Sequence, residues 1–208
     1  MTTIAAREKL RDKLGEVSEL ASGKTLPKLD KYARAYIARS PFLCIGTADA
    51  NGNADVSPRG DPPGFVRIID DETLIIPDRP GNNRADTMLN IIANSKVGIL
   101  FMIPGIDDTV RVNGKAEIID DPAALAPAAV NGKAPKLGIR VKVEEVFFHC
   151  AKAFKRSKLW DSSTHEKRGF LPNLAHIVLE QIRHCEVEQA ESDAVEAQIQ
   201  EDYQTKLY

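Results

Sequence analysis

The sequence predicts a mainly β chain, an antiparallel barrel carrying appended helices. Three observations lead there. Short apolar segments recur with hairpin spacing between Phe42 and Cys150. Turn formers separate them, Asn51-Gly52 most clearly. Helical periodicity is confined to the two ends and to isolated pieces between strands, which argues against a βαβ repeat.

The elements follow in order. MTTIAAREKLRDKLGE reads as an amphipathic helix rather than a signal peptide. In KLDKYARAYIARS the residues Leu29, Tyr32, Ala33, Tyr36 and Ile37 recur at helical spacing and give one buried face. Pro41 ends that helix, because proline disfavours helical geometry in the residue before it. FLCIGTAD is then a buried strand, Asn51-Gly52 its turn and NADVSPR the return. GDPPG breaks the chain, FVRIID and TLIIPD flank the turn Asp70-Asp71-Glu72, and RADTMLNIIANS is a helix starting near Asn83. Met88, Leu89, Ile91 and Ile92 are expected on or near its inner face. KVGILFMIPG and TVRVNGKAEIID are strands, and DPAALAPAAVNG is a short helix interrupted by proline. LGIRVKVEEVFFHC alternates through Ile139, Val141 and Val143, then Val146 and Phe148, with Glu144-Glu145 read as a strand turn or edge. FKRSKLW and NLAHIVLEQIR read as helix or loop plus helix, and the tail carries a sparse stripe of Val195, Ile199 and Tyr203 suited to docking on a neighbour. The expected division is N-terminal helices over 1–40 packing on the barrel, a barrel core over 41–160 and a C-terminal helical extension over 161–208, all one domain.

Composition narrows function by exclusion. At 208 residues, 43% hydrophobic and 28% charged, the chain can bury a substantial core. Its 28 basic and 30 acidic residues leave a formal charge of −2, so no global basic field points to nucleic acid. No apolar run is long enough to span a membrane. Cys44, Cys150 and Cys185 are odd in number and without CxxC spacing, which supports neither a disulfide framework nor a metal site. A cytoplasmic protein is the expectation.

The stretch IIPDRPGNNRADTMLNII crowds donors into a tight connection, Asp78 to Arg84. A helix start leaves backbone N–H groups without partners, and its dipole favours an anion there. Asn82 or Asn83 can cap the helix, while Arg79 and Arg84 offer guanidinium forks suited to phosphate. Upstream, SPRGDPPG ends a strand at Arg59, and sequential strand pairing would bring the three arginines together. The competing reading is a solvated turn in which Arg79 pairs with Asp78, Arg84 with Asp86 and Arg59 with Asp61. The sequence carries neither a GxGxxG after a strand nor the Lys-Ser/Thr ending of a P-loop.

The order of these segments resembles the pyridoxamine 5′-phosphate oxidase-like flavoproteins. TVRVNGKAEIIDD, residues 109–121, is similar to that family's V-R-V-x-G-K-A-E strand, and LIIPDRPGNNRADTMLNIIANSKVGILFMIPG to the strand, phosphate turn, helix and strand before it. The likeness covers about residues 30–160 and implies the FMN-binding split β-barrel, an antiparallel Greek-key-type barrel. It further implies FMN as cofactor, a small-molecule substrate and a homodimer with FMN at the subunit interface. By position, Arg84 falls on the FMN phosphate with Asn82 and Asn83, while Asp78 and Arg79 belong to the same turn. Ile76 and Pro77 run beside the ring, Arg59 and Asp61 lie near the flavin, and Thr109 and Arg111 begin the strand beneath it. Lys155, Arg156, Ser157 and Trp160 correspond to the partner-subunit segment reaching over the cofactor. The oxidase's Arg-x-His element near its end has no counterpart here, where Glu196, Glu201 and Asp202 form an acidic helix. FMN binding therefore transfers better than pyridoxamine phosphate oxidation, and no catalytic side chain is assigned.

Other residues invite other chemistry. Lys152, Lys155, Arg156 and Lys158 beside Phe154 and Trp160 make a basic cluster too short to carry a nucleic-acid reading. His149-Cys150 would project to opposite faces of a strand, so packing is favoured over metal chelation for it and for His184-Cys185. His165 and His176 stand alone. The functional expectation is an FMN-dependent oxidoreductase. The alternatives are a non-catalytic binder of flavin, haem or another anion, and a split barrel using the deazaflavin F420.

Overall fold

The computed structural model describes residues 3–208. Met1 and Thr2, where the first predicted helix was placed to begin, lie outside the described residues. The helix forms over Arg7–Leu14 (α1), followed by Glu19–Gly23 (α2) and Lys31–Ile37 (α3). Asp30 caps α3, its carboxylate accepting from the N–H groups of Tyr32 and Ala33. Ala33, Tyr36 and Ile37 are buried and seal one side of the sheet, whereas Leu10, Leu14 and Leu20 of α1 and α2 face solvent.

The strands are Phe42–Ala48 (β1), Ala54–Gly60 (β2), Arg67–Ile68 (β3), Thr73–Pro77 (β4), Lys96–Met102 (β5), Thr109–Ile119 (β6) and Gly138–His149 (β7). They form one seven-stranded sheet in the order β2-β1-β5-β6-β7-β4-β3. Every pairing is antiparallel. The β1–β2 hairpin turns at Asn51-Gly52 as expected, with Gly52 at φ 85° and the Asp49 carboxylate accepting from the N–H groups of Asn51 and Asn53. Pro58 sits in β2 at the sheet edge, where its missing N–H removes no central ladder bond.

Alternation fills the core as the sequence suggests. Leu43, Ile45, Ile99, Phe101, Val110, Val112, Ile139 and Val141 are each at most 1% exposed, so the inner face of the sheet is dry at these positions. The phase break inside β7 is a β-bulge, not the turn or edge expected at Glu144-Glu145. Asn113 pairs with Glu145 and Gly114 with Val143, so Glu144 is the extra residue and the strand continues. Both Val143 and Val146 thereby point inward on either side of it.

The helix after β4 spans Asp86–Ala93 (α4) and starts later than its predicted position near Asn83. Only Thr87 and Ile91, one i, i+4 pair, are buried under it. Leu89 and Ile92 are 60% and 74% exposed, so the predicted inner face is narrower than four apolar residues imply. After β6 come Pro122–Leu125 (α5) and a 3-10 turn at Ala126–Ala128, matching the proline-interrupted helix. Lys152–Ser157 (α6), Leu174–Arg183 (α7) and Gln189–Thr205 (α8) complete the chain. Helices α7 and α8 pack as a hairpin around Ala175, Val187 and Ser192. The tail stripe stays largely exposed at Val195 and Tyr203.

Candidate anion and cofactor site

The Asp78–Arg84 turn is organised by crossed ion pairs. Arg59, at the end of β2, donates to Asp78 at 2.8 Å, and Arg79 donates through Nε to Asp61 at 2.7 Å. Neither Arg59–Asp61 nor Arg79–Asp78 forms, although both were the sequence-local pairings. Fold-imposed proximity across 18–19 residues replaces nearest neighbours. The Asp61 side chain is 2% exposed and Arg79 17%, so this pair lies in a low-dielectric setting. Arg79 also donates to the Ala128 carbonyl, and Asp61 accepts from the Tyr208 hydroxyl at 2.6 Å. That hydrogen bond, with partial burial second, raises the pKa of the tyrosine hydroxyl and keeps it a donor.

The turn itself is conformationally costly. Asn83 and Ala85 have φ of 57° and 59°, and the left-handed region costs a non-glycine residue on the order of 1 kcal/mol. These two residues keep 83–85 out of the helix, which explains its late start. Ala85 caps α4 without a side-chain bond, and the Asn82 side chain accepts from the Arg84 N–H instead. Arg84 is 72% exposed and pairs with Asp86 at 2.8 Å, the local pairing that the solvated-turn reading foresaw. Asp86 supplies the negative charge that the α4 dipole favours and holds the arginine beside it.

A cavity of about 400 Å³ opens between these elements, lined among others by Arg59, Arg79, Pro77, Gly81, Asn82 and Phe65. The Nε of Arg59 is buried and has no hydrogen-bond partner among the described residues. The Arg59 side chain as a whole is 21% exposed, and two arginines in one cavity wall suit an anion or an acceptor-rich ligand. The neighbouring strand edge is open as well. β3 pairs only with Leu74 and Ile75, so beyond Ile75 the outer edge of β4 has no strand partner among the described residues. Ile76 and Pro77 are themselves buried, with main-chain pairing to Ile139 and Gly138 on the β7 side. Arg59, Pro77, Arg79 and Asn82 thus share one cavity, with Asp61 and Asp78 behind the arginines. Arg84 stands outside its wall, and Asn83 lines the cavity on the far side of the turn.

The remaining predicted residues gather elsewhere. Thr109 is buried at the start of β6, opposite His149. Arg111 lies over the Phe147 ring, 4.1 Å from its centroid, and donates to Glu145 at 3.0 Å. Its Nε is a second buried donor without a partner among the described residues. The Lys155 ammonium pairs with Asp107, and the Trp160 indole donates to the Ile106 carbonyl, so α6 is tied to the β5–β6 loop. Arg156 and Ser157 are exposed on α6. No side-chain hydrogen bond among the described residues joins this group to the Asp78–Arg84 turn.

His149 packs against Phe147, ring centroids 4.8 Å apart. Burial first, and then the charges of Arg111 and Lys24, lower its pKa below the usual 6.5. The unfolded chain binds a proton near pH 6.5 that the folded chain refuses until lower pH, so stability falls as pH drops through that interval. Urea midpoints measured between pH 7.5 and about 5.5 are expected to drop less for His149→Gln than for the wild type. Equal slopes would show that another group governs the acid limb.

The profile of the pyridoxamine 5′-phosphate oxidase family matches residues 29–150, from α3 to the end of β7. The chain belongs to that family. The seven-stranded antiparallel sheet with its flanking helices is the family's split-barrel fold. Among solved structures, HupZ from Group A Streptococcus is 26% identical, with 58% of this chain and 93% of that chain covered and a TM-score of 0.48. A putative pyridoxamine 5′-phosphate oxidase from Lactobacillus delbrueckii is 24% identical, covering 60% and 98% with a TM-score of 0.46. An FMN-binding protein from Syntrophomonas wolfei is 15% identical, covering 69% and 96% with a TM-score of 0.43. No curated protein matches the sequence. Among the described residues, no helix of this family member is long and apolar enough to cross a membrane.

Sequence reasoning passed over Tyr208, Lys133 and Lys136, which line the space on the far side of the turn. Nothing local could have flagged Tyr208, because its partner Asp61 is 147 residues away.

Proposed function

We propose that this member of the pyridoxamine 5′-phosphate oxidase family is an FMN-dependent oxidoreductase acting on a small molecule. The observation that carries the reading is the pair of arginines, Arg59 and Arg79, lining one cavity with Asn82, beside an open strand edge at Ile76-Pro77. When bound, the flavin supplies the redox chemistry. The chain's own residues hold and orient it. Arg84 leaves its exposed pair with Asp86 at little cost, since such surface pairs are worth about 0–1 kcal/mol, and closes on the phosphate. Asn82, Asn83 and Arg79 contribute further donors. Asp61 and Asp78 fix the arginines, and main-chain groups at Ile76 and Pro77 meet the ring's polar edge. The barrel core over 41–160 is the cofactor-binding unit, flanked by the helices of 1–40 and 161–208.

Thr109, Arg111, Lys155, Arg156, Ser157 and Trp160 complete the site from a second copy in a homodimer. Supporting this is their separation from the arginine turn within one chain, together with the exposed Leu89 and Ile92 on α4.

The first test is the visible spectrum of the purified protein, with the released chromophore identified by mass. A yellow protein releasing FMN supports the reading; a colourless protein that also fails to take up added FMN sinks it. Arg84→Ala is expected to weaken FMN binding at least tenfold, about 1.5–3 kcal/mol for a charge-assisted hydrogen bond. Titration by flavin fluorescence quenching reads this directly. Unchanged affinity in a folded variant would remove Arg84 from the site.

A further inference from the structure

The helix pair α7–α8 is bonded to the rest of the molecule at one residue. Among the described residues, every hydrogen bond and ion pair linking 166–208 to the remainder of the chain is made by Tyr208. Its hydroxyl donates to Asp61 at 2.6 Å, and its main-chain oxygen accepts from Lys133 at 3.1 Å. The pair carries little core of its own. Ala175, Val187 and Ser192 are its buried residues, and none of them joins the hydrophobic core of the sheet. Helices of 10 and 17 residues with so small a core are marginal alone in water, so the anchor sets how far they fray.

The same anchor grips the Asp78–Arg84 turn. Asp61 divides its carboxylate, Oδ1 accepting from the Tyr208 hydroxyl and Oδ2 from the Arg79 Nε at 2.7 Å. The Tyr208 ring lies 5.3 Å from the Arg79 guanidinium carbon, and the Ala128 carbonyl accepts from Nη2. Held in this way, the guanidinium keeps Nη1 for a ligand. Arg79 lines both the Arg59 cavity and the space behind the turn where Tyr208 sits. An arginine fixed beforehand loses less side-chain freedom when it binds an anion.

We propose that Tyr208 is a latch that docks α7–α8 on the barrel and, through Asp61, holds Arg79 in place for the cofactor. In this role it is a positioning residue, acting through Asp61 and Arg79. The hold on Arg79 rests on the flavin reading above, whereas the docking of α7–α8 does not. Binding couplings are reciprocal, so a bound flavin tightens the latch by the factor by which the latch tightens flavin.

The test is hydrogen–deuterium exchange on the full chain with and without FMN, beside a flavin fluorescence titration. In FMN-free protein, Tyr208→Ala is expected to speed exchange in the last turns of α8 about tenfold, the worth of one charge-assisted hydrogen bond. Tyr208→Phe, which keeps the ring and loses the hydroxyl, is expected to do the same. FMN is expected to slow exchange there in the wild type and to leave it unchanged in Tyr208→Ala, whose FMN affinity falls about fivefold. A merely structural role for Tyr208 would not make α8 exchange respond to FMN. Unchanged exchange in both FMN-free variants would overturn the latch. Faster exchange with wild-type FMN affinity would overturn the hold on Arg79. A wild type that binds no FMN would sink the flavin reading and that hold with it, while FMN-free exchange still decides the docking.

Discussion

Asp61→Ala is expected to destabilise the fold by about 3 kcal/mol, the typical cost of breaking a buried ion pair from one side. Its carboxylate, 2% exposed, holds the Arg79 Nε at 2.7 Å and the Tyr208 hydroxyl at 2.6 Å. Without it the guanidinium stays buried with the Ala128 carbonyl as its remaining hydrogen-bond acceptor, and the cost is the desolvated charge rather than the lost contact. Urea unfolding should show a lower midpoint with an unchanged slope. The Asp61→Ala/Arg79→Met double variant is expected to recover most of the loss, because it removes the unpaired charge. A single variant as stable as the wild type, or a double variant no better than the single, would contradict a buried pair at this position.

Gly114→Ala is expected to cost about 3 kcal/mol as well, at the upper end for overpacking. A Cβ there would lie 2.1 Å from the Lys142 carbonyl oxygen and 3.0 Å from its carbon. Both are backbone atoms of the paired strand, so no rotamer can relieve the clash. The bulge at Asn113/Gly114 would have to open, and with it the longest pairing of the sheet. Gly46→Ala provides the control within the same sheet. Its nearest neighbour would be the Gly98 carbonyl at 3.6 Å, an ordinary contact, and alanine in a strand gains about 0.5–1 kcal/mol over glycine in backbone entropy. Equal midpoints for the two variants would refute the close approach at Gly114.

The two variants mark different depths of legibility. The strand carrying Gly114 was visible as VRVNGKAEII, because a half-buried strand writes its burial into every second residue. The shift from Val143 to Val146 in β7 was visible too, but a bulge and a turn leave the same interruption in a one-dimensional pattern. Only the pairing of Asn113 with Glu145 distinguishes them. The α4 helix shows the same limit at its start. Capping residues at Asn82 and Asn83 pointed to an early helix, yet left-handed backbone at Asn83 and Ala85 postpones it to Asp86.

What the sequence by itself determined was the inventory: which segments alternate, where turns fall, and that arginines, aspartates and asparagines crowd two loops. Local chemistry suffices for that, since periodicity, proline and glycine act within a few residues. Which arginine meets which aspartate was decided by the tertiary structure. Arg59 and Asp78 lie at the ends of β2 and β4, Arg79 and Asp61 on the segments that follow them, and the sheet crosses the pairs. Tyr208 reaches Asp61 over 147 residues, a contact that no window along the chain contains. Side-chain partnership is a property of distance in space, and distance is set by the strand order of the sheet.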